Sequence, residues 1–143
     1  MSYNTDFDRE FMERTLELVR SYVGPYDATI LLNCLLGLLI VPKERCLKSI
    51  PLHPIDSIEE WGIKRESIES LGRHKSEDDN PNNLRGIVWH LRNAISHTNF
   101  EPVPKTGEVR SFKFWDRSGF KANIPLDELR VFVEKLAEKL RTM

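Results

Sequence analysis

Residues 84–97 have the sequence LRGIVWHLRNAISH, and this stretch decides how the chain folds. On a helical wheel at about 100° per residue, its apolar side chains fall within one arc of roughly 120°. These side chains are Leu84, Ile87, Val88, Leu91, Ala94 and Ile95. An apolar arc of this width is typical of a helix that packs one face on a hydrophobic core. We therefore predict an amphipathic helix that ends near His97.

The opposite face of this helix concentrates hydrogen-bond donors around one large aromatic side chain. The residues on it are Arg85, Trp89, Arg92, Asn93, Ser96 and His97. A tryptophan among polar residues indicates a face that meets something, either as a dimer contact or as a surface on which bases stack. The alternative interpretation is that Trp89 only fills the edge of a helical bundle.

Arg92 and His97 are a candidate pair for phosphodiester cleavage. A guanidinium, which is always charged, can hold phosphate oxygens with two hydrogen bonds, and an imidazole can transfer protons to and from ribose oxygens near neutral pH. This chemistry requires no metal. His97 lies five positions after Arg92, so the two are about 140° apart on an ideal wheel, although the loop after the helix can redirect the His97 ring. The alternative is a surface arginine and a histidine favoured by the helix dipole.

Two further helices are predicted before this one. The first begins at a cap on Thr5 or Asp6 and ends near Val23; the second is capped by Asp27 and runs to about Val41. The apolar face of the first helix is predicted to comprise Phe7, Phe11, Leu18 and Tyr22. Prolines after Ile50 indicate a linker, followed by one or two short helices broken near Gly62. The helix of residues 84–97 is itself expected to begin at Asn80 and Pro81.

The C-terminal part combines a hairpin with a last helix. Residues 108–115 and 120–124 flank the turn sequence DRSG at 116–119, which predicts a β-hairpin. Its cations and aromatic side chains suggest an RNA-contacting surface, but an amphipathic hairpin with aromatics on the core and cations in water is favoured. The last helix is predicted at Leu126 to Arg141 from its leucine spacing.

Composition is that of one ordinary globular domain spanning residues 1–143. The net charge is −1, yet residues 84–124 carry 7 Lys/Arg against 3 Asp/Glu, so a local positive field is expected. The most apolar stretch, residues 28–41, is about 14 residues long, short of the roughly 20 that a membrane span requires. The N-terminus lacks a secretion signal, which predicts a cytoplasmic protein without a membrane association.

No residue spacing predicts a bound metal or cofactor. Cys34 and Cys46 belong to no CxxC or Cys/His cluster and are interpreted as reduced, structural thiols. His53, His74 and His90 have no ligand spacing, so each is expected on the surface or hydrogen-bonded to a partner. The acids at 77–79 could hold Mg²⁺, but helix capping is the favoured interpretation.

The sequence LRNAISH at 91–97 resembles the R-polar-x3-H signature of the HEPN superfamily. The apolar segment LLNCLLGLLIVP at 31–42, the hairpin and the last helix are similar to a plasmid- and prophage-type HEPN subfamily, so the resemblance covers most of the chain. It implies an all-α HEPN-type bundle of four to five helices, with a small β-hairpin before the last helix.

The resemblance also implies a function. HEPN proteins with an intact motif are commonly metal-independent endoribonucleases of toxin–antitoxin or defence systems, which dimerise so that two motifs share one cleft. Arg92 would then bind the phosphate, His97 would act as general acid or base, and Asn93 would support either. Ser96, Trp89 and Arg85 are expected to contact the RNA substrate, and an antitoxin protein is a possible partner. The alternative is a non-catalytic HEPN module that binds a nucleotide or a protein.

Overall fold

The structure, a computed structural model, describes residues 2–40, 48–73 and 83–142, with side chains from residue 9 onward. Within these ranges the helices are α1 (Ser2–Ser21), α2 (Asp27–Ile40), α3 (Leu84–Ser96) and α4 (Leu126–Arg141). Two short 3-10 helices, Ile55–Trp61 and Arg65–Ser67, lie between α2 and α3. The first ends at Gly62, which confirms the predicted break there. Gly62 has a φ of 94°, a left-handed conformation that glycine adopts readily.

Four strands form one antiparallel sheet beside the helices. They are β1 (Ile68–Leu71), β2 (Phe100–Val103), β3 (Ser111–Trp115) and β4 (Phe120–Pro125). Their order across the sheet is β1-β4-β3-β2, so the hairpin of β3 and β4 forms its centre. The predicted hairpin is confirmed, but the predicted all-α class is wrong because two further strands extend the hairpin on both sides.

The strands at the sheet edges are short and lack the sequence pattern of a strand. In β1, Ile68 and Leu71 are three residues apart, which matches a helix, and a bulge interrupts their pairing with β4. In β2, Pro102 removes a backbone donor, which restricts such a segment to an edge position. Both strands therefore depend on the central hairpin, and a local pattern does not reveal them.

Helices α3 and α4 pack on one face of the sheet, and α1 and α2 pack on these helices, so that helices and sheet share a single core. All six apolar residues predicted to face inward from α3 are buried, and α3 packs against both α2 and β3. Of the apolar residues predicted for α1, Phe11 packs on the core, but the prediction is wrong for Leu18, which is 51% exposed. The buried face of α1 comprises Met12, Thr15, Leu16 and Val19.

Helix α2 is buried along one side, and the Phe11 ring of α1 lies close to its backbone at Gly37. A Cβ added to Gly37 would lie 2.7 Å from the Phe11 ring of α1, so a larger residue here would require that ring to move. Asn33 of this helix is exposed. Burial raises the pKa of the Cys34 thiol, an effect that the nearby charge of Arg130 partly offsets.

Over the described ranges, no helix is both long enough and apolar enough for a membrane span.

Candidate active site

Helix α3 begins at a side-chain cap. The Asn83 Oδ1 accepts a hydrogen bond of 2.8 Å from the Gly86 N–H, which satisfies one donor of the first turn. The expected start at Asn80 and Pro81 lies outside the described residues, and the described part of the helix starts at Leu84. The Leu84 N–H donates to the His53 carbonyl, which ties this end of α3 to the preceding linker.

The other end of α3 closes in a two-bond motif around the candidate catalytic histidine. Thr98 N–H donates to the Ile95 carbonyl at 3.0 Å, and Asn99 N–H donates to the Ala94 carbonyl at 2.7 Å. This is the Schellman arrangement, in which the residue after the C-cap adopts the left-handed conformation. Thr98 does so with a φ of 54°. Because threonine is β-branched, the backbone is strained immediately after His97.

Arg92 lies against Trp89 on the polar face of α3. Its guanidinium carbon is 5.4 Å from the centre of the Trp89 ring, within the range of a cation–π contact. The Arg92 Nε is buried and has no hydrogen-bond partner among the described residues. A buried donor without a partner costs about 1–3 kcal/mol, and the Arg92 side chain as a whole is only half-buried.

His97 and Ser96 are both exposed at the C-terminal end of the helix. His97 is the C-cap residue, with φ −100° and ψ 12°, and its N–H donates to the Asn93 carbonyl at 3.1 Å. Among the described residues, no hydrogen bond or ion pair joins Arg92 to His97. Among the described contacts, the one between Asn93 and His97 is this backbone hydrogen bond, and their side chains are not hydrogen-bonded to each other.

Arg85 has a structural partner at the opposite end of the polar face. Its Nε donates to the Ile50 carbonyl at 2.9 Å, which holds the linker before the first 3-10 helix against α3. Trp89 is 37% exposed between Arg85 and Arg92. The polar face thus has one arginine engaged with the backbone and one with an unsatisfied donor.

A buried network on the other side of α3 connects the helix to the turn between β3 and β4. The His90 Nδ1–H donates to Asp116 Oδ2 at 2.5 Å, and both side chains are only 7% exposed. Asp116 Oδ1 accepts from the Ser118 hydroxyl and the Ser118 N–H. The His90 ring also stacks on Phe120, with centroids 4.7 Å apart. Because 26 residues separate His90 from Asp116, no sequence spacing could have revealed the pair.

No group of three or more His, Cys, Asp or Glu side chains within the described residues could hold a metal ion. The acids at 77–79, which were considered for Mg²⁺ binding, lie outside those residues.

Comparison with known proteins identifies the chain at the family level. The family model described as HEPN pEK499 p136 matches residues 1–142. No curated protein and no solved structure gives a significant match. The matched range includes α3 with its Arg92-to-His97 segment, the sheet and the last helix. The chain therefore belongs to the HEPN pEK499 p136 family, within the HEPN superfamily.

Proposed function

We propose that this protein is a metal-independent endoribonuclease whose catalytic residues are Arg92 and His97. The observation that carries the proposal is the half-buried Arg92 guanidinium, which lies on Trp89 on the same polar face that ends in an exposed His97. Membership of the HEPN superfamily supports it, because the segment 92–97 retains the R-polar-x3-H pattern.

In this reaction the ribose 2′-oxygen attacks the adjacent phosphorus while the bond from phosphorus to the 5′-oxygen breaks. One proton leaves the 2′-hydroxyl and one reaches the departing 5′-oxygen. An imidazole can perform either transfer near neutral pH, which is the role proposed for His97. A guanidinium binds the non-bridging oxygens as negative charge develops there, which is the role proposed for Arg92.

A second copy of the chain would complete the site. Arg92 and His97 lie about 140° apart around α3 and about 7.5 Å apart along its axis, so the two side chains of one helix diverge. Two α3 helices packed across a two-fold axis can place the arginine of each copy beside the histidine of the other. We therefore include a homodimer in the proposal, with the partly exposed Trp89 at or beside the interface.

The remaining polar residues of α3 have supporting roles in this proposal. Asn93 donates to the phosphate or orients the imidazole, and Ser96 contacts the ribose from its exposed position beside His97. Arg85 contributes positive charge while its Nε stays on the Ile50 carbonyl.

The test is cleavage of a single-stranded RNA by the purified protein in EDTA. We expect products with 2′,3′-cyclic phosphate ends, and a rate lower by roughly 10²–10⁴-fold in His97→Ala, as is typical when an acid–base group is lost. His53→Ala is the matched control, because His53 is also exposed but lies outside α3, and it should cleave like the wild type. Undiminished cleavage by His97→Ala would remove the proposed role, and RNA binding without cleavage by the wild type would favour a non-catalytic module.

A further inference from the structure

One face of the sheet is turned away from the helices, and we call it the outer face. It carries two exposed lysines and a tryptophan, whereas the opposite face is apolar and buried. Residues alternate between the two faces along a strand. In β3 and β4 the side chains that face the helices are all buried, and they are Phe112, Phe114, Phe120, Ala122 and Ile124. The alternate positions include Lys113 and Lys121, which are exposed, Trp115 and Asn123, which are half-buried, and Ser111, which is buried. The favoured amphipathic interpretation of the hairpin is therefore correct for its phenylalanines but not for Trp115.

Lys113, Trp115 and Lys121 are neighbours across the hairpin. Trp115 pairs directly with Lys121, and Lys113 pairs with Asn123. Lys113 and Lys121 are thus diagonal neighbours, with their positions about 7–8 Å apart. Trp115 is adjacent to both, since it lies opposite Lys121 and two residues after Lys113. Two cations beside one aromatic ring are the elements with which proteins bind single-stranded nucleic acid.

The charge of this face favours a polyanion. Neither Lys113 nor Lys121 has an ion-pair partner among the described residues. On β2, Glu101 pairs with Lys113 in the sheet, but its carboxylate lies 3.7 Å from the Lys105 ammonium, so that charge is already compensated. A second acid, Glu69, lies in the bulge of β1 at the opposite edge.

The outer face begins beside the proposed catalytic histidine. The Trp115 N–H donates to the Asn99 carbonyl at 3.2 Å, which continues the β2–β3 pairing by one position toward α3. His97 precedes Asn99 by two residues, which spans at most about 7 Å of extended chain. A single-stranded nucleic acid bound along Lys113, Trp115 and Lys121 would therefore extend toward the end of α3 that carries His97.

We infer that the outer face of the sheet binds the single-stranded RNA substrate beside the cleavage site, with Trp115 stacking on a base and Lys113 and Lys121 contacting phosphates. This inference rests on the proposed function, since it takes RNA as the substrate. It differs from the site on α3 in residues and in chemistry, because none of the three residues takes part in bond cleavage.

The test measures binding separately from cleavage. The probe is a fluorescein-labelled 2′-O-methyl oligonucleotide, which cannot supply the attacking hydroxyl, titrated into wild-type protein at several salt concentrations. The double variant Lys113→Ala/Lys121→Ala should bind more weakly, and the slope of log affinity against log salt should become shallower by about 1.4, as expected for two lost phosphate contacts on a single strand. Lys135→Ala, an exposed lysine on α4, is the matched control and should change neither quantity.

The aromatic contribution has its own variants. Trp115→Ala should weaken binding by about 5- to 150-fold, the range of a lost base-stacking contact, and Trp115→Phe should restore most of it. Wild-type affinity and an unchanged salt slope in the double lysine variant would overturn the inference, even if the protein cleaves RNA. If the lysine variant loses binding but the wild type cleaves no RNA, the binding face stands and the nuclease proposal fails.

Discussion

Thr98 determines how the chain leaves the proposed catalytic end of α3. Its left-handed backbone completes the two hydrogen bonds that close the helix, and its hydroxyl donates to the His97 carbonyl at 2.6 Å. A β-carbon in this conformation costs about 1–2 kcal/mol. The two hydrogen bonds offset this cost. The left-handed conformation of Thr98, next to His97, directs the chain toward Asn99 and the sheet.

A matched pair of substitutions isolates this strain. Thr98→Gly and Thr98→Ala both remove the hydroxyl, but only alanine keeps the β-carbon in the left-handed conformation. We expect the glycine variant to be the more stable of the two by about 1 kcal/mol in urea unfolding at equal m-values. Equal stability of the two variants would mean that Thr98 is not held in this conformation in solution.

The residues of the candidate site were identifiable from the sequence because their signal is local. Arg92, Asn93 and His97 lie on one short segment, and a helical wheel separates them from the buried residues around them. The conformation of Thr98 was not predictable, because a threonine gives no sign that it will adopt a glycine-like backbone. The unpaired Arg92 Nε was not predictable either, since it depends on what surrounds it in the fold.

At the scale of elements, the buried pair of His90 and Asp116 attaches the middle of α3 to the central hairpin. His90 is two residues before Arg92, so the same turn of helix carries the attachment on one side and the guanidinium on the other. The pair therefore fixes the position of the site helix relative to the sheet face from which we expect the RNA to approach.

Removal of this attachment should be costly. His90→Ala leaves the Asp116 carboxylate buried without its histidine, and we expect a loss of about 3 kcal/mol in the free energy of unfolding. The control, His53→Ala, removes an exposed ring and should change stability by no more than about 0.5 kcal/mol. Urea denaturation checks both, and a His90→Ala protein as stable as the control would show that the pair does not hold the helix in place.

Elements with a long periodic pattern or a clear turn sequence were predictable, whereas strands that form only by pairing with another strand were not. The last helix, Leu126–Arg141, was predicted at its observed bounds, and the hairpin followed from its turn residues. In α1 the buried face was misassigned because apolar residues lie on two sides of that helix, and only packing against α4 and α2 selects between them. Strand β1 was missed because it pairs with a segment about fifty residues later in the chain. Strand β2 pairs with the nearby β3, but Pro102 interrupts the pattern of a strand.

At the scale of the whole molecule, helices on one face of a four-stranded sheet leave two surfaces beside each other. One is the polar face of α3 with Arg92 and His97, and the other is the outer face of the sheet with Lys113, Trp115 and Lys121. A net charge of −1 conceals this local concentration of cations. In the proposed function, RNA would bind on the sheet face and be cleaved at α3, because local rather than overall charge attracts it.

The central claim is that the ribose 2′-hydroxyl attacks the phosphate with the help of His97. Its most direct measurement is the single-turnover cleavage rate, in EDTA, of two oligonucleotides that differ only in carrying 2′-hydroxyl or 2′-O-methyl groups. The account predicts that the wild type cleaves the hydroxyl form to cyclic phosphate ends, leaves the methylated form intact, and loses cleavage in His97→Ala by at least about 10²-fold. Equal cleavage of both oligonucleotides, or wild-type rates in His97→Ala, would contradict it.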